Sequence, residues 1–242
     1  MTLNQFGTDL LVLLPLTFLL GWASLLLLAD MFLPQENRSA MPLLSALGLA
    51  VTLGLALMQA GQSALAFGGM VSLDGFGVFF NVLFAASGLV GVALAYDYLR
   101  QMNLARNTYY ILLLFSVSGM MLMGVAADLM TLFLALELLS IPLYVLSGFA
   151  RPKGESEEAA LKYFLLGAFA SGFVVYGIAL VYGATGSTAL AGIVQAVQAG
   201  ALLNPVLLTL GAALLLIGLG FKVAAVPFHM WTPDVYHGAP TA

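Results

Sequence analysis

The sequence has very few residues that could carry ionic or metal chemistry. Among its 242 residues there is no cysteine, so the chain by itself can neither form a disulfide nor hold an iron–sulfur cluster through thiolates. Only 7% of the residues are charged and only 2 are histidines, and no His-rich spacing typical of a metal site occurs. The sequence also lacks a P-loop, a dinucleotide-binding glycine fingerprint and a Ser/His/Asp arrangement. We therefore expect no cofactor or metal in this chain.

Hydrophobic residues take the place of the missing charge. They make up 62% of the chain, whereas a soluble domain has about 45–50% apolar and about 25% charged residues. The apolar runs are about 20 residues long, which is the length of a transmembrane helix rather than of a barrel strand. The first run has no Lys or Arg before it, unlike a cleaved signal peptide, and this favours a retained span. The sequence thus predicts an all-α integral membrane protein.

Seven transmembrane helices are predicted, in a single membrane domain over residues 1–242. They lie at about 8–32, 41–60, 74–98, 108–126, 129–149, 158–182 and 205–228. The loop before the seventh helix is long enough for a short amphipathic or interfacial helix at Ala189–Ala199. Pro142 and Pro227 lie inside apolar runs, where proline kinks or breaks a helix. We therefore expect irregular backbone in the fifth and seventh spans.

The positive charges between the spans predict an orientation. Alternate loops carry them, and the loops on the other side contain no Lys or Arg. By the positive-inside rule the charged loops are cytoplasmic, and the N-terminus lies outside. An odd number of spans then leaves the C-terminus on the cytoplasmic side. The residues concerned are Arg38, Arg100, Arg106, Arg151 and Lys153.

Two ionisable residues stand inside predicted spans, Glu137 in the fifth and Lys222 in the seventh. On insertion scales such a residue costs about 2.5–3.5 kcal/mol at the centre of a helix, so it usually marks a pathway. Ser140 and Tyr144 share a helix face with Glu137, which gives that helix a narrow polar stripe. A carboxyl group in this position can exchange protons, or it can act as a structural partner that locks two helices together.

Lys222 follows a run of glycines and precedes Pro227 by five residues, a pattern that predicts a broken helix. The glycines are Gly211, Gly218 and Gly220. Interrupted spans expose backbone dipoles in mid-membrane and commonly form ion sites in transporters. Lysine, unlike arginine, can lose its proton when buried, which suits reversible protonation. The alternative is a lysine that snorkels to the cytoplasmic interface.

Two further residues are weaker candidates. Lys162 lies one turn into the sixth span with Glu158 at i−4, the favourable order for a solvated surface pair, although it could also face inward. His229 lies seven residues after Lys222 and could relay protons, because histidine titrates near physiological pH. A lone histidine near an interface is more often simply hydrogen-bonded. Position alone leaves both interpretations open for each residue.

Three longer stretches stand out in the second half of the chain: ALELLSIPLYVLSGF, EEAALKYFLLGAFASGFVVYGIALVYGATGS and GLGFKVAAVPFHMWTPDVYHGAPT. They resemble the antiporter-like membrane subunits of respiratory complex I, the proton-pumping NADH:quinone oxidoreductase, and most of all those of the N type. The similarity is continuous from about Asp128 to Thr241, while the earlier residues match mainly in hydropathy. The resemblance implies an antiporter-like fold of two inverted five-helix repeats, each with a broken helix, in a bacterial inner membrane.

The resemblance also implies roles for particular residues. Glu137 and Lys222 match the ion pair whose opening and closing drives proton uptake in the family. Lys162 matches a lysine of the same hydrophilic axis, and His229 is a candidate relay. Family members have roughly twice as many spans, so we expect the chain to be a fragment or one part of a split subunit, holding the first inverted repeat.

The resemblance further implies partners and cofactors. The expected partners are the other membrane-arm subunits of complex I, the lipid bilayer and protons, with no nucleic acid. NADH, FMN, iron–sulfur clusters and quinone are expected in partner subunits, and none of them in this chain. The chain would thus belong to a redox-driven pump without having a redox centre of its own.

Three functions remain open from these features. The first is a proton-translocating subunit of complex I. The second is a subunit of a multi-subunit cation/proton antiporter, which shares the fold, although VPFHMWTPDVYHGAPT is closer to the respiratory type. The third is a helical scaffold whose buried charges only fix packing. NADH-oxidising partners would favour the first, sodium-dependent transport the second, and a permanently paired Lys222 without a hydrated path the third.

Overall fold

Ten α-helices form most of the structure, which is a computed structural model that describes residues 3–32 and 40–241. In chain order they are α1 (Leu3–Val12), α2 (Leu14–Phe32), α3 (Met41–Met58), α4 (Gly75–Gln101), α5 (Asn107–Val125), α6 (Leu129–Ser147), α7 (Gly154–Thr185), α8 (Leu190–Gln198), α9 (Pro205–Lys222) and α10 (Thr232–Gly238). Seven of those described, α2 to α7 and α9, are long and apolar enough to cross a membrane. The predicted fold class, a helical membrane protein with about seven spans, is confirmed.

The first predicted span, at 8–32, is two helices in the structure. The chain makes a turn at Leu13, between α1 and α2. Pro15 is the second residue of α2, where its missing N–H is harmless, whereas its ring would disrupt a helix that continued from α1. Pro142, by contrast, lies within α6 and does not interrupt it.

The seventh span is broken after Lys222, as predicted. α9 ends at this residue, and the next nine residues form turns before α10 begins at Thr232. Ala224 has a left-handed φ of 52°, which lies outside the range of a right-handed α-helix. Pro227 lies in the middle of the connection and has no N–H to donate to a helical hydrogen bond. α8 likewise confirms the short helix predicted before the seventh span.

The glycines before Lys222 serve packing rather than the break. Gly211 and Gly218 are both buried inside α9, on the face that meets α7. A Cβ atom on Gly211 would lie 2.9 Å from the carbonyl oxygen of Gly177, and one on Gly177 would lie 2.9 Å from that of Gly211. Small residues on both helices therefore allow their backbones to approach closely, as is common between membrane helices.

A small β-hairpin, which the sequence did not predict, closes one end of the bundle. Its strands are β1 (Ala64–Ala66) and β2 (Val71–Leu73), paired antiparallel. Val71 also bridges to Ala126, and Asp128 bridges to Ala189. The α3–α4, α5–α6 and α7–α8 connections are thus hydrogen-bonded together at this end.

The opposite end carries the basic residues, and we call it the arginine end. The guanidinium carbon of Arg106, before α5, lies 5.9 Å from the ring centroid of Phe149, after α6, so the α4–α5 and α6–α7 connections are neighbours. Arg38 lies outside the described residues. The basic residues described in or beside these two connections are Arg100, Arg106, Arg151 and Lys153.

Candidate functional site

Glu137 lies near the middle of α6 and faces α7. Its side chain is half-buried, and Ser171 Oγ on α7 donates a hydrogen bond of 2.5 Å to Glu137 Oε1. Each turn of an α-helix advances about 5.4 Å, so the carboxyl group is more than two turns from either end of α6. The predicted polar residue in mid-span therefore has a polar partner on the neighbouring helix.

Lys222 is bound by the polar stripe of α6. Its ammonium donates hydrogen bonds to Ser140 Oγ at 2.7 Å and to Tyr144 Oη at 2.9 Å. The same nitrogen lies 5.3 Å from the centroid of the Tyr144 ring, within the range of a cation–π contact. Ser140 in turn donates to the carbonyl oxygen of Leu136, so its hydroxyl oxygen is left to accept from the lysine.

The structure does not form the direct Glu137–Lys222 ion pair that the resemblance implies. Within 4.0 Å, the salt bridges of the described residues are Arg151–Glu157, Lys162–Glu158 and Lys162–Asp234. The reason is position along α6, because Tyr144 is seven residues after Glu137 and thus about 10 Å further along the axis. The two hydroxyls hold Lys222 towards the arginine end, and the carboxylate bonds Ser171 instead.

A chain of aromatic rings positions the Tyr144 hydroxyl, and sequence analysis missed it. Tyr144 packs edge-on against Tyr163 of α7 at 4.7 Å, and Tyr163 stacks on Trp231 at 4.6 Å. Trp231 Nε1 donates a 3.1 Å hydrogen bond to the carbonyl oxygen of Phe221. The absence of a side chain at Gly167 gives the Tyr144 hydroxyl its place against α7. The end of α9 is thereby fixed to α6 through α7 and the segment after the break.

Lys162 is bound by acidic residues rather than by the Lys222 cluster. Its ammonium lies 2.6 Å from Glu158 Oε1, the i−4 partner suggested by the sequence, and 2.7 Å from Asp234 Oδ2 on α10. The lysine side chain is 40% exposed. The Asp234 contact joins α7 to the helix after the break, and no local spacing could predict it because the two residues are 72 positions apart.

His229 lies in the connection between α9 and α10, and its side chain is exposed. Its carbonyl oxygen accepts from the backbone N–H of Thr232, at the start of α10. In the part of the chain that the structure describes, its imidazole makes no hydrogen bond to Lys222. One face of α6 thus carries both Glu137 and the two hydroxyls that bind Lys222, whereas Lys162 and His229 lie outside this cluster.

Asp128 is buried, although its position at a span end predicts a solvated side chain. Only 3% of the residue is exposed. Oδ1 accepts from the backbone N–H of Met130 at 2.8 Å and so caps α6, while Oδ2 accepts from Thr188 Oγ1 at 2.6 Å. The carboxylate therefore fixes the start of α6 to the loop after α7.

The fold is that of antiporter-like membrane proteins. Its marks are seven spans, a break after the lysine of the seventh, and a glutamate that faces the sixth span from the fifth. Residues 126–242 match the family model described as "NADH:quinone oxidoreductase/Mrp antiporter, TM". This region contains all four of the candidate residues.

Among known proteins, the chain is similar to subunits named N. NADH-quinone oxidoreductase subunit N 2 of Roseiflexus castenholzii is 48% identical over 228 residues, which are 93% of this chain and 46% of the relative. Subunit N of Chloroflexus aggregans is 48% identical over 236 residues, covering 96% of this chain and 48% of the relative. The predicted resemblance to subunit N is therefore confirmed. The chain spans about half the length of the curated relatives it matches.

Solved structures agree with this similarity. A chain of respiratory complex I from Thermus thermophilus is 39% identical, with a TM-score of 0.77 over 94% of this chain and 48% of that one. A chain of the Mrp complex from Dietzia sp. DQ12-45-1b has a TM-score of 0.74 over 96% of this chain and 44% of that one. The second is only 21% identical, so it shows a shared fold and nothing more.

Proposed function

We propose that the chain is part of a proton-translocating membrane subunit of a bacterial NADH:quinone oxidoreductase. The high identity to proteins named subunit N supports this assignment. The observation that carries it is the position of Lys222, the last residue of a broken span, bound by two hydroxyls on the helix face of Glu137. We propose that Glu137, on the same face of α6 as these hydroxyls, is the alternative partner of this lysine inside the membrane.

Lys222 is the residue that exchanges its proton in the proposed mechanism. When its ammonium moves along α6 towards Glu137, the carboxylate charge favours the protonated form. When it returns to Ser140 and Tyr144, that attraction weakens, and release of a proton to leave a neutral amine becomes easier. The break after Lys222 assists this movement, because no following helical turn constrains the lysine backbone.

Lys162 and His229 have supporting roles in this proposal. The positive charge of Lys162 lies on α7, and its approach to Lys222 would repel the ammonium and promote proton release. Its salt bridge with Asp234 connects this charge to α10, so a movement of α10 would move or release it. His229 is exposed in the connection, and in this proposal it exchanges protons with water.

The proposed function also implies a membrane, an orientation and partner subunits for this chain. The chain forms one membrane domain in the bacterial inner membrane, with its arginine end in the cytoplasm and its N-terminus outside. Its partners are the other membrane-arm subunits, which would hold NADH, FMN, the iron–sulfur clusters and quinone. In residues 3–32 and 40–241, no group of three or more His, Cys, Asp or Glu side chains lies close enough together to hold a metal ion.

The test is the number of protons pumped per NADH in inverted membrane vesicles of the assembled complex. Glu137→Gln and Lys222→Met should each lower the number of protons pumped per NADH, because each removes an ionisable group of the proposed proton path. Lys153→Met, which removes a loop lysine at the arginine end, is the matched control and should pump normally. Unchanged pumping per NADH in both site variants would exclude the proposed proton path.

A cation/proton antiporter subunit is the second candidate. The family model covers both classes, and the Mrp chain shares the fold. Sodium-dependent proton movement without NADH, lost in Lys222→Met, would favour this alternative. Pumping that requires NADH and does not depend on sodium favours the first.

A further inference from the structure

A cavity of about 410 Å³ opens at the arginine end, beside the candidate proton site. It lies between the start of α5, the end of α6 and the start of α7. Tyr144, which binds Lys222, contributes to its inner wall. The side chains and backbone around it belong to Arg106, Thr108, Tyr144, Val145, Gly148, Phe149, Arg151, Glu157 and Ala160.

The guanidinium groups of two arginines line the cavity and favour binding of an anion. Arg106 lies against the Phe149 ring, and within the described residues it has no acidic partner within 4.0 Å. Arg151 contacts Glu157 at 3.1 Å through Nε, which leaves its terminal nitrogens able to donate elsewhere. Two arginines and one glutamate give the cavity a net positive charge, and guanidinium groups match the oxygens of a phosphate.

An apolar track continues from the cavity along α6. Val145 on the cavity wall is 51% exposed, and Ile141 and Leu134 are 54% and 56% exposed. Spacings of four and seven residues place the three on one helix face. From Val145 to Leu134 the track is about 16 Å long, close to half of the ~30 Å hydrocarbon core of a bilayer. It thus has the length of one acyl chain in one leaflet.

We propose that the cavity and this track together bind an anionic phospholipid. The headgroup phosphate lies between Arg106 and Arg151, and an acyl chain lies along Val145, Ile141 and Leu134. Free phosphate shares the headgroup chemistry, but it would leave the track unused. An amphiphile accounts for both the charge of the cavity and the apolar track. The proposal does not depend on proton translocation, because the lipid site is defined by its own contacts.

The test measures lipid retention by the purified full chain with native mass spectrometry. The probes are palmitoyl-oleoyl phosphatidylglycerol and phosphatidylcholine with the same acyl chains. Phosphatidylglycerol should bind about fivefold more tightly, and Arg106→Gln or Arg151→Gln should each lower its affinity by about fivefold, as expected for one arginine near an anionic lipid. Arg100→Gln, at the same end but outside this cavity, is the matched control and should bind normally.

A second set of measurements distinguishes a bound lipid from free phosphate as the ligand. Ile141→Ser should weaken retention of phosphatidylglycerol, and millimolar inorganic phosphate should not displace it. Displacement by phosphate with no effect of Ile141→Ser would overturn the lipid assignment. Equal retention of the two lipids by the unmodified chain, or an equal loss in Arg100→Gln, would overturn the site itself. Should Arg106→Gln fail to fold, Arg106→Lys keeps the charge and is expected to lose less than fivefold.

Discussion

Replacing Tyr144 with phenylalanine removes one of the two hydroxyls that bind the Lys222 ammonium and keeps the aromatic ring. Because Tyr144 is buried and its hydroxyl contacts Lys222 at 2.9 Å, the substitution tests whether the lysine is held there as a cation. A double-mutant cycle with Lys222→Met isolates the interaction between the two side chains. The measured quantity is the free energy of unfolding of the purified chain in mixed micelles.

The expected coupling energy follows from the charge of the lysine. Neutral hydrogen bonds between membrane helices are worth about 0.6 kcal/mol on average. Hydrogen bonds to charged groups are worth about 1.5–3 kcal/mol. We therefore expect a coupling of about 1.5 kcal/mol between Tyr144 and Lys222, and a similar value for Ser140, whose contact with the ammonium is 2.7 Å.

Tyr163→Phe is the control for this cycle. Tyr163 belongs to the same group of rings, 4.7 Å from Tyr144, but its hydroxyl makes no hydrogen bond to Lys222. Its coupling with Lys222→Met should be near zero. A coupling of about 0.6 kcal/mol or less for Tyr144 would refute the claim that the hydroxyl stripe holds a charged lysine.

Two further predictions use the same unfolding measurement. Gly177→Ala should destabilise the chain by about 1–3 kcal/mol, because its Cβ would meet the α9 backbone. Gly172→Ala, on the same helix with nothing within 4 Å, should be neutral or stabilise by up to about 1 kcal/mol, and equal effects would contradict the close helix packing. Asp128→Ala should cost about 2–3 kcal/mol, since it loses both a helix cap and the Thr188 bond, against about 1 kcal/mol for Asp74→Ala, which loses a cap alone. Similar costs would show that the Thr188 contact contributes little.

The transmembrane fold could be predicted from the sequence because hydropathy and local signals determine it. Runs of about 20 apolar residues predict the spans. Asn204, a typical N-cap residue, and Pro205, which favours the first helical position, predict the start of α9, and Asn204 caps this helix in the structure. The break after Lys222 was also predictable, although for a partly wrong reason. Pro227 lies in the break, whereas Gly211 and Gly218 serve contact with α7.

Only those residues of the site that share one face of α6 could be predicted from the sequence. The stripe of Glu137, Ser140 and Tyr144 follows from helical periodicity, and the structure shows that the last two bind Lys222. Partners on other helices do not follow from spacing. Ser171, which bonds Glu137, and Asp234, which pairs with Lys162, are contacts that only the packing of α6, α7 and α10 creates.

The hydroxyl partners bear directly on how a buried lysine can work reversibly. Leaving a buried charge without its partner costs about 3–5 kcal/mol, which would make the separated state rarer by about two to four orders of magnitude. Here Ser171 bonds Glu137, and Ser140 and Tyr144 bond Lys222, so neither charge is left bare when the two are apart. Each bond to a charged group returns about 1.5–3 kcal/mol, enough to offset most of that cost. In the proposed cycle, these three hydroxyls therefore keep the paired and separated states close in free energy, and a small movement of the segment after the break is sufficient to shift Lys222 between them.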